Sequence, residues 1–331
     1  MRDVARLAGV SQPTVSRVLN ESDTSIAISP ETREKVLAAV EELGYRPNMH
    51  ARSLRTQQTM MIAVLIADIT NSFYPQIARA IENVARDAGF DVMISNSDHL
   101  YENEKLFCEA ITRRAVDGII MVPIHLTEQD LHDLYTRTNT PISVLGQQIH
   151  HPRIDVVYAD DEQAVYDTTQ WLIREKGHTR LGYVGVPDIL PPGPRRYRGF
   201  MRAMADAHME VMPEFIFQGD FTQAGGHLVG QQIAQLETLP SGLMVANDAM
   251  ALGIILTLQE AGIRVPDDIA IVGFDDIPEA SIIRPALTTV EQDAADIGYK
   301  LVRLLFERIE NPDLPSRRLI SPNRLIVRGS A

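Results

Sequence analysis

The sequence of 331 residues predicts an α/β fold, with an N-terminal all-α helix-turn-helix headpiece ahead of a core of two doubly wound parallel-sheet lobes. Three observations predict it. Residues 2–44 read as three short amphipathic helices with no strand pattern. Beyond residue 60, apolar runs alternate with helical stretches, as parallel strands joined by crossover helices require. That alternation comes in two successive sets, which implies two lobes with a cleft between them.

In the first helix Val4, Leu7 and Ala8 place apolar side chains at i, i+3 and i+4, on one predicted inner face. Gly9 supplies a turn and Val10 plugs the gap behind it. Ser11 is placed to accept from a free N–H of the second helix, and Pro13 falls in the first turn, where proline costs least. Val15, Val18 and Leu19 form that helix's inner stripe, leaving Gln12, Pro13, Ser16 and Arg17 outward. A helix apolar behind and polar in front is what a major groove admits. The third helix opens on Ser29-Pro30-Glu31, runs through Val36, Val40 and Leu43, and stops at Gly44. A polar stretch, Arg55 to Thr59, then reads as a linker.

The core begins with Met61–Ile66, a continuous apolar run, as a strand buried on both faces should be. The pattern continues with a helix from about Tyr74 to Ala88, a strand Asp91–Ser95 and a helix Glu102–Arg113. Strand Gly118–Val122, helix Glu128–Arg137 and strand Pro141–Leu145 follow. The second set has helix Gln163–Glu175, strand Leu181–Val184, helix Arg196–Ala207, strand Gly242–Val245, helix Ala249–Ala261 and strand Ile269–Gly273, with a last strand at Leu325–Arg328. Sheets of this kind bind ligands beyond the carboxyl ends of their strands. The expected cleft positions are therefore Asp68 to Tyr74, Ser95 to Asp98, Asp160-Asp161, the loop leading to Arg196, Asn247-Asp248 and Phe274-Asp275-Asp276.

Composition sets bounds on function. The hydrophobic share of 45% and charged share of 23% are those of an ordinary globular protein. No apolar run reaches membrane-spanning length, and no apolar leader opens the chain, so the expected compartment is the cytoplasm, with no membrane partner. The lone cysteine, Cys108, excludes an internal disulfide framework and reads as a small apolar helix residue. The net charge of −13 is uneven: residues 1–57 carry +1 and residues 58–331 carry −14. Arg2, Arg6, Arg17, Arg52 and Arg55 are available to phosphates, while an acidic core would repel non-specific DNA. No glycine-rich phosphate loop follows the first strand, where Ala67-Asp68-Ile69-Thr70 stands instead. No Cys/His spacing suits a metal, and His150-His151 before Pro152 reads as a solvated loop. No catalytic group, metal or cofactor is expected, and the chain does not read as an enzyme. A sugar-binding transport protein, the remaining rival, would need export.

The headpiece, with Tyr45-Arg46-Pro47-Asn48-Met49-His50-Ala51-Arg52-Ser53-Leu54-Arg55 after it, resembles transcription regulators of the lactose-repressor (LacI/GalR) family. The core resembles the family's periplasmic-binding-protein-like effector domain. That likeness rests on Gly177-His178, Arg196 to Phe200, Asn247-Asp248, Gly273-Phe274-Asp275 and Pro285-Ala286-Leu287-Thr288-Thr289. The resemblance implies a headpiece over 1–47, a hinge helix and linker over 48–59, and an effector-binding and dimerisation core over 60–331. Its N-lobe would take about 60–159 plus 291–320, and its C-lobe about 160–290 plus 321–331.

The resemblance also implies site residues. On the DNA side, Gln12, Pro13 and Arg17 are expected to read bases; Ser11, Thr14 and Ser16 to contact phosphate or cap the helix; and Asn48, Ala51, Arg52 and Leu54 to form the hinge, with Leu54 wedged into the minor groove. In the cleft, Phe73, Tyr74 and Phe221 are expected as apolar walls, with Asp161, Arg196, Asn247 and Asp275 as polar contacts to an effector. An interlobe salt bridge is the alternative for Arg196 and Asp275. Asp248 and Asp160 read as structural, Asp248 as a helix N-cap, and Trp171 as packing. The Asn247-Asp248 pair favours a sugar or sugar derivative over a nucleoside. The loop Leu190-Pro191-Pro192-Gly193-Pro194 is expected to shape the pocket. The expected partners are near-palindromic operator DNA, a small-molecule effector and a second copy in a homodimer. Two departures stand out. Met1-Arg2 occupies the place of a capping threonine, and the loop Glu21–Ile28 is longer than usual.

Overall fold

The computed structural model describes residues 1–20, 28–45 and 58–331. They form two compact units, residues 1–59 and 60–331. In the first, α1 (Arg2–Leu7), α2 (Gln12–Asn20) and α3 (Pro30–Glu42) close over Val4, Ala5, Val15, Val18, Val36 and Ala39. Gly9 and Gly44 turn the chain at φ of +66° and +57°, a conformation that costs glycine little. Ser29 caps α3 by accepting from the Thr32 N–H at 3.2 Å. Two expectations fail at the helix ends. Leu7 and Leu43 are exposed, at 46% and 45%. In so short a helix as α1, Val4, Ala5 and Ala8 take the inner positions, while Leu43 is the C-cap of α3 and lies past its last turn.

The second unit runs β1 (Met61–Ile66), α4 (Phe73–Asp87), β2 (Asp91–Asn96), α5 (Tyr101–Arg113) and β3 (Gly118–Met121). It continues with α6 (Glu128–Thr138), β4 (Ile142–Leu145) and β5 (Ile154–Ala159). Then come α7 (Asp161–Arg174), β6 (Leu181–Gly185), α8 (Pro192–Asp206), β7 (Ile216–Gln218), α9 (Gln223–Ala234) and β8 (Gly242–Val245). The remainder is α10 (Asp248–Glu260), β9 (Ala270–Asp275), α11 (Pro278–Ile282), β10 (Thr288–Gln292), α12 (Ala294–Glu310), β11 (Arg318–Ser321) and β12 (Asn323–Ile326).

Two six-stranded sheets result, in the orders β11-β5-β4-β3-β1-β2 and β12-β10-β9-β8-β6-β7. The first is parallel throughout, whereas the second carries β12 antiparallel to β10. That edge departs from the expected all-parallel lobe. Its cause is the junction at Pro322, which carries the chain straight from β11 in one sheet to β12 in the other. In each sheet the strand order reverses beside the first strand, between β1 and β3 and between β6 and β8. Such a reversal opens a crevice at the carboxyl ends.

Several segments escape the strand–helix alternation of the sequence. Helix α9 holds Gly225, Gly226 and Gly230, which weaken helix propensity. Their reason is tertiary: a Cβ on Gly226 would sit 2.2 Å from the Met250 carbonyl oxygen, and one on Gly253 the same distance from that of Gln223. Strand β5 carries Asp155, a wholly buried carboxylate. Arg308 of α12 clasps it with two bonds of 2.8 Å, and Arg317 adds its backbone N–H and guanidinium. This network ties α12 to the sheet of β5. Cys108 lies half-buried in α5, where burial pushes its thiol up to about 12. Trp171 packs against the core beneath Lys176.

Candidate functional site

The second helix of the small unit presents its polar face as expected. Val15 and Val18 are buried, Gln12 and Pro13 are exposed, and Thr14, Ser16 and Arg17 are half-buried. Ser11 accepts from the Thr14 N–H at 3.3 Å and its hydroxyl meets that of Thr14 at 2.8 Å, so its capping role is realised. Arg6, expected to be available, is ion-paired with Asp3. Both side chains are largely exposed, and such a pair yields readily to a phosphate. Asn48, Ala51, Arg52, Leu54 and residues 21–27 lie outside the described residues.

In the large unit, the loops after β1, β3, β6 and β8 converge with those after β2, β4 and β9 on one cavity of about 80 Å³. Phe73, Tyr74, Asp161, Arg196, Phe221, Asn247 and Asp275 all line it. The lobes already touch there. Leu190 packs with Val122, Ile124 and Leu145, and the Ser72 hydroxyl donates to Glu279 at 2.8 Å. His99 lies over Phe221 with ring centroids 6.4 Å apart, and Tyr74 meets His99 edge-on.

The charged end lies wholly on the second lobe, so Arg196 and Asp275 do not form an interlobe bridge. Arg196 stacks its guanidinium 3.7 Å over the Phe274 ring and donates to the Ala246 carbonyl. Its Nη2 lies 3.5 Å from Asp161 and 3.7 Å from Asp275. Arg195 adds two bonds to the other Asp161 oxygen, at 3.3 and 2.8 Å. Gln292 donates to Asp275 at 2.7 Å. Burial raises the Asp275 carboxyl to about 7, against the opposing pull of Arg196 and Gln292. Burial likewise lifts the Tyr74 phenol and lowers the His99 imidazolium. Phe221 and Asp275 sit at φ of +69° and +118°, backbone strain of about 1–3 kcal/mol each that clusters at binding sites.

Four expectations need correction. Asp248 is not the N-cap of α10; Asn247 is, accepting from the Met250 N–H at 3.0 Å. Its Nδ2 donates to the Phe221 carbonyl at 2.9 Å, so much of the amide expected to read a sugar is engaged within the protein. Asp248 is instead buried, accepting from Thr289 at 2.5 Å and the Ile277 N–H at 2.9 Å, and burial raises its carboxyl. The stretch Pro192-Gly193-Pro194 is not loop but the first turn of α8, where prolines lose no helical bond. His151 is not solvated: it is buried, 3.1 Å from His132, while His150 stays exposed. Asp160, read as structural, caps α7 through the Gln163 N–H.

Sequence reasoning missed Arg195, Gln147, Gln148, His99 and Gln292 on the cavity wall. The two glutamines directly follow an assigned strand, and Arg195 adjoins Arg196, so position alone would have found these three. Among the described residues no cluster of three or more His, Cys, Asp or Glu is arranged to hold a metal, and no helix is long and apolar enough to cross a membrane.

Comparisons with known proteins cover both units. Residues 1–48 match bacterial regulatory proteins of the lacI family, and residues 172–331 a periplasmic binding protein-like domain. The chain is 34% identical over 329 residues to catabolite control protein A of Priestia megaterium, spanning 99% of this chain and 98% of that one. It superposes on the lac repressor dimer bound to operator and the anti-inducer ONPF with a TM-score of 0.87 and 29% identity, over 99% and 97% of the two chains. A lacI-family regulator from Enterococcus faecium with bound ribose matches 82% of this chain and 98% of its own, at 27% identity and a TM-score of 0.74. With a helix-turn-helix unit, a two-lobed core and this likeness over its full length, the chain belongs to the lacI family of bacterial transcriptional regulators, which are not enzymes.

Proposed function

We propose that this protein binds a near-palindromic operator as a homodimer in the cytoplasm, and that a sugar or sugar derivative in the interlobe cavity sets its operator affinity. The observation that carries the reading is the convergence of loops from both lobes on one cavity, with carboxylate, guanidinium and amide groups beside aromatic faces. A ligand there contacts both lobes and so biases their relative angle, a coupling reciprocal with DNA binding. Gln12, Pro13 and Arg17 read bases, Ser11, Thr14 and Ser16 hold phosphate, and Asn48, Ala51, Arg52 and Leu54 form the hinge. The repressor in the lac operator complex and the ribose-bound regulator support this assignment by likeness. The second reading is a nucleoside, favoured by the aromatic faces of Tyr74 and Phe221.

Thermal unfolding of the full chain against sugars and nucleosides tests the cleft, because a ligand at about 100 times its Kd adds ~2.7 kcal/mol. Operator selection tests the helix. Arg17→Ala should relax one operator position by about 1–3 kcal/mol without moving the unfolding midpoint, and Leu54→Ala should weaken binding to bent sites. Unaltered operator preference in both variants removes the DNA-side assignment.

A further inference from the structure

Buried side-chain atoms without a hydrogen-bond partner gather at the cavity. Among the described residues they include Arg196 Nε, Gln147 Oε1, Gln148 Oε1 and His99 Nδ1, each on a lining residue. They are unlike in kind. Gln147 and Gln148, on the loop after β4, offer acceptors that want a donor such as a hydroxyl. Arg196 Nε, on α8, wants an acceptor. Its neighbour Arg195 uses Nε and Nη2 on Asp161, which leaves Nη1 for a ligand. Arg195 and Arg196 both reach Asp161, and Arg196 also stands 3.7 Å from Asp275, a carboxyl whose ionisation burial opposes. On the facing lobe Asp68 turns its carboxylate to the N–H and hydroxyl of Thr70.

Resting on the ligand-in-cleft reading above, we infer that the effector is a hydroxylated anion, a sugar phosphate or sugar acid, with its anionic group on Arg195 and Arg196 and its hydroxyls on Gln147 and Gln148. Arg195 is then the residue that selects the charged ligand over its neutral parent. A guanidinium fork suits either a carboxylate or a phosphate, and the desolvated site strengthens the attraction. A neutral sugar would leave Arg196 Nε and Arg195 Nη1 without an anionic acceptor.

Calorimetric titration of the full chain separates the cases. The probes are ribose with ribose 5-phosphate, glucose with glucose 6-phosphate and glucuronate, and inorganic phosphate alone. At least one charged sugar should bind about tenfold or more tighter than its neutral parent, as a charge-assisted hydrogen bond implies. Its Kd should rise with added NaCl. A gain confined to phosphates or to glucuronate identifies the anion. Arg195→Gln should abolish the preference and Arg195→Lys restore most of it; if the Gln variant fails to fold, the salt dependence of the natural protein decides. Neutral parents binding tighter than their charged forms overturn this inference and leave the cleft reading standing. Phosphate binding as tightly as any sugar phosphate overturns the hydroxyl contacts. Silence from every probe, neutral sugars included, removes both readings.

Discussion

The two units handle polarity in opposite ways. In the small unit the proposed DNA-facing side chains stand out from one helix, above an inner layer as small as Val4, Ala5, Val15 and Val18. In residues 60–331 the proposed effector contacts are inside: Asp161, Arg196, Asn247 and Asp275 are all buried. A solvated reading helix costs little to display and is carried by thin packing. A buried polar cavity must be satisfied by partners that other loops supply, because unpaired buried charge is expensive. The core can hold such groups because much larger apolar layers fix the surrounding loops.

That contrast can be broken in three places. The largest effect is expected at Asp155. Asp155→Asn leaves Arg308 buried without its counter-charge and should cost about 3–5 kcal/mol in urea unfolding. Burial opposes its ionisation, but hydrogen bonds from Arg308 and Arg317 prevail and hold its carboxyl below the ordinary value. The stability it contributes is therefore present above about pH 4 and lost as pH falls through the lower, folded value. The variant should lack that part of the acid sensitivity; an unchanged acid profile would show the network to be dispensable.

A smaller effect is expected in the headpiece. Val15→Ala removes two methyl groups' worth of burial, roughly 1.5–2 kcal/mol. In so thin a layer that should speed proteolysis within residues 1–59 and weaken operator binding, while the unfolding midpoint of the core stays put. A lowered core midpoint instead would mean that the units do not unfold independently.

The third effect sharpens the comparison through its sign and not its size. The Asp275 carboxyl is raised in the folded state, so ionising it costs stability, increasingly from about pH 4 to about pH 7. Asp275→Asn should raise the ligand-free unfolding midpoint at pH 7 and leave it unchanged near pH 3, while weakening effector binding. A lower midpoint at pH 7 would show that the carboxylate supports the fold through Arg196 and Gln292.

Much of this was legible in the residues. Caps and turn glycines act within a few positions of themselves, so Ser11, Ser29, Gly9 and Gly44 marked the headpiece helices correctly. Apolar runs bounded by turns located most core strands, the rule that ligands bind at strand ends picked out Phe73, Tyr74, Asp161, Arg196, Asn247 and Asp275, and the family resemblance added Phe221 on the same cavity. Misreadings fell where a distant partner decides. Asn247 and Asp248 are adjacent and chemically alike. Which one caps α10 and which one turns inward to Thr289 and Ile277 depends on β10 and the β9–α11 loop. His151, in the loop before β5, is buried because His132 on α6 receives it. The glycines of α9 argue against a helix until α10 crosses within backbone contact.

The sequence by itself determined the two-part organisation, the alternation that builds both sheets, and the polar face of the reading helix, because each follows from neighbours in the chain. Tertiary structure alone decided the charge balance of the cavity and the partners of its groups. Asn247, Asp248 and His151 acquire their partners only when segments far apart in sequence meet, because pairing and desolvation are set by three-dimensional proximity.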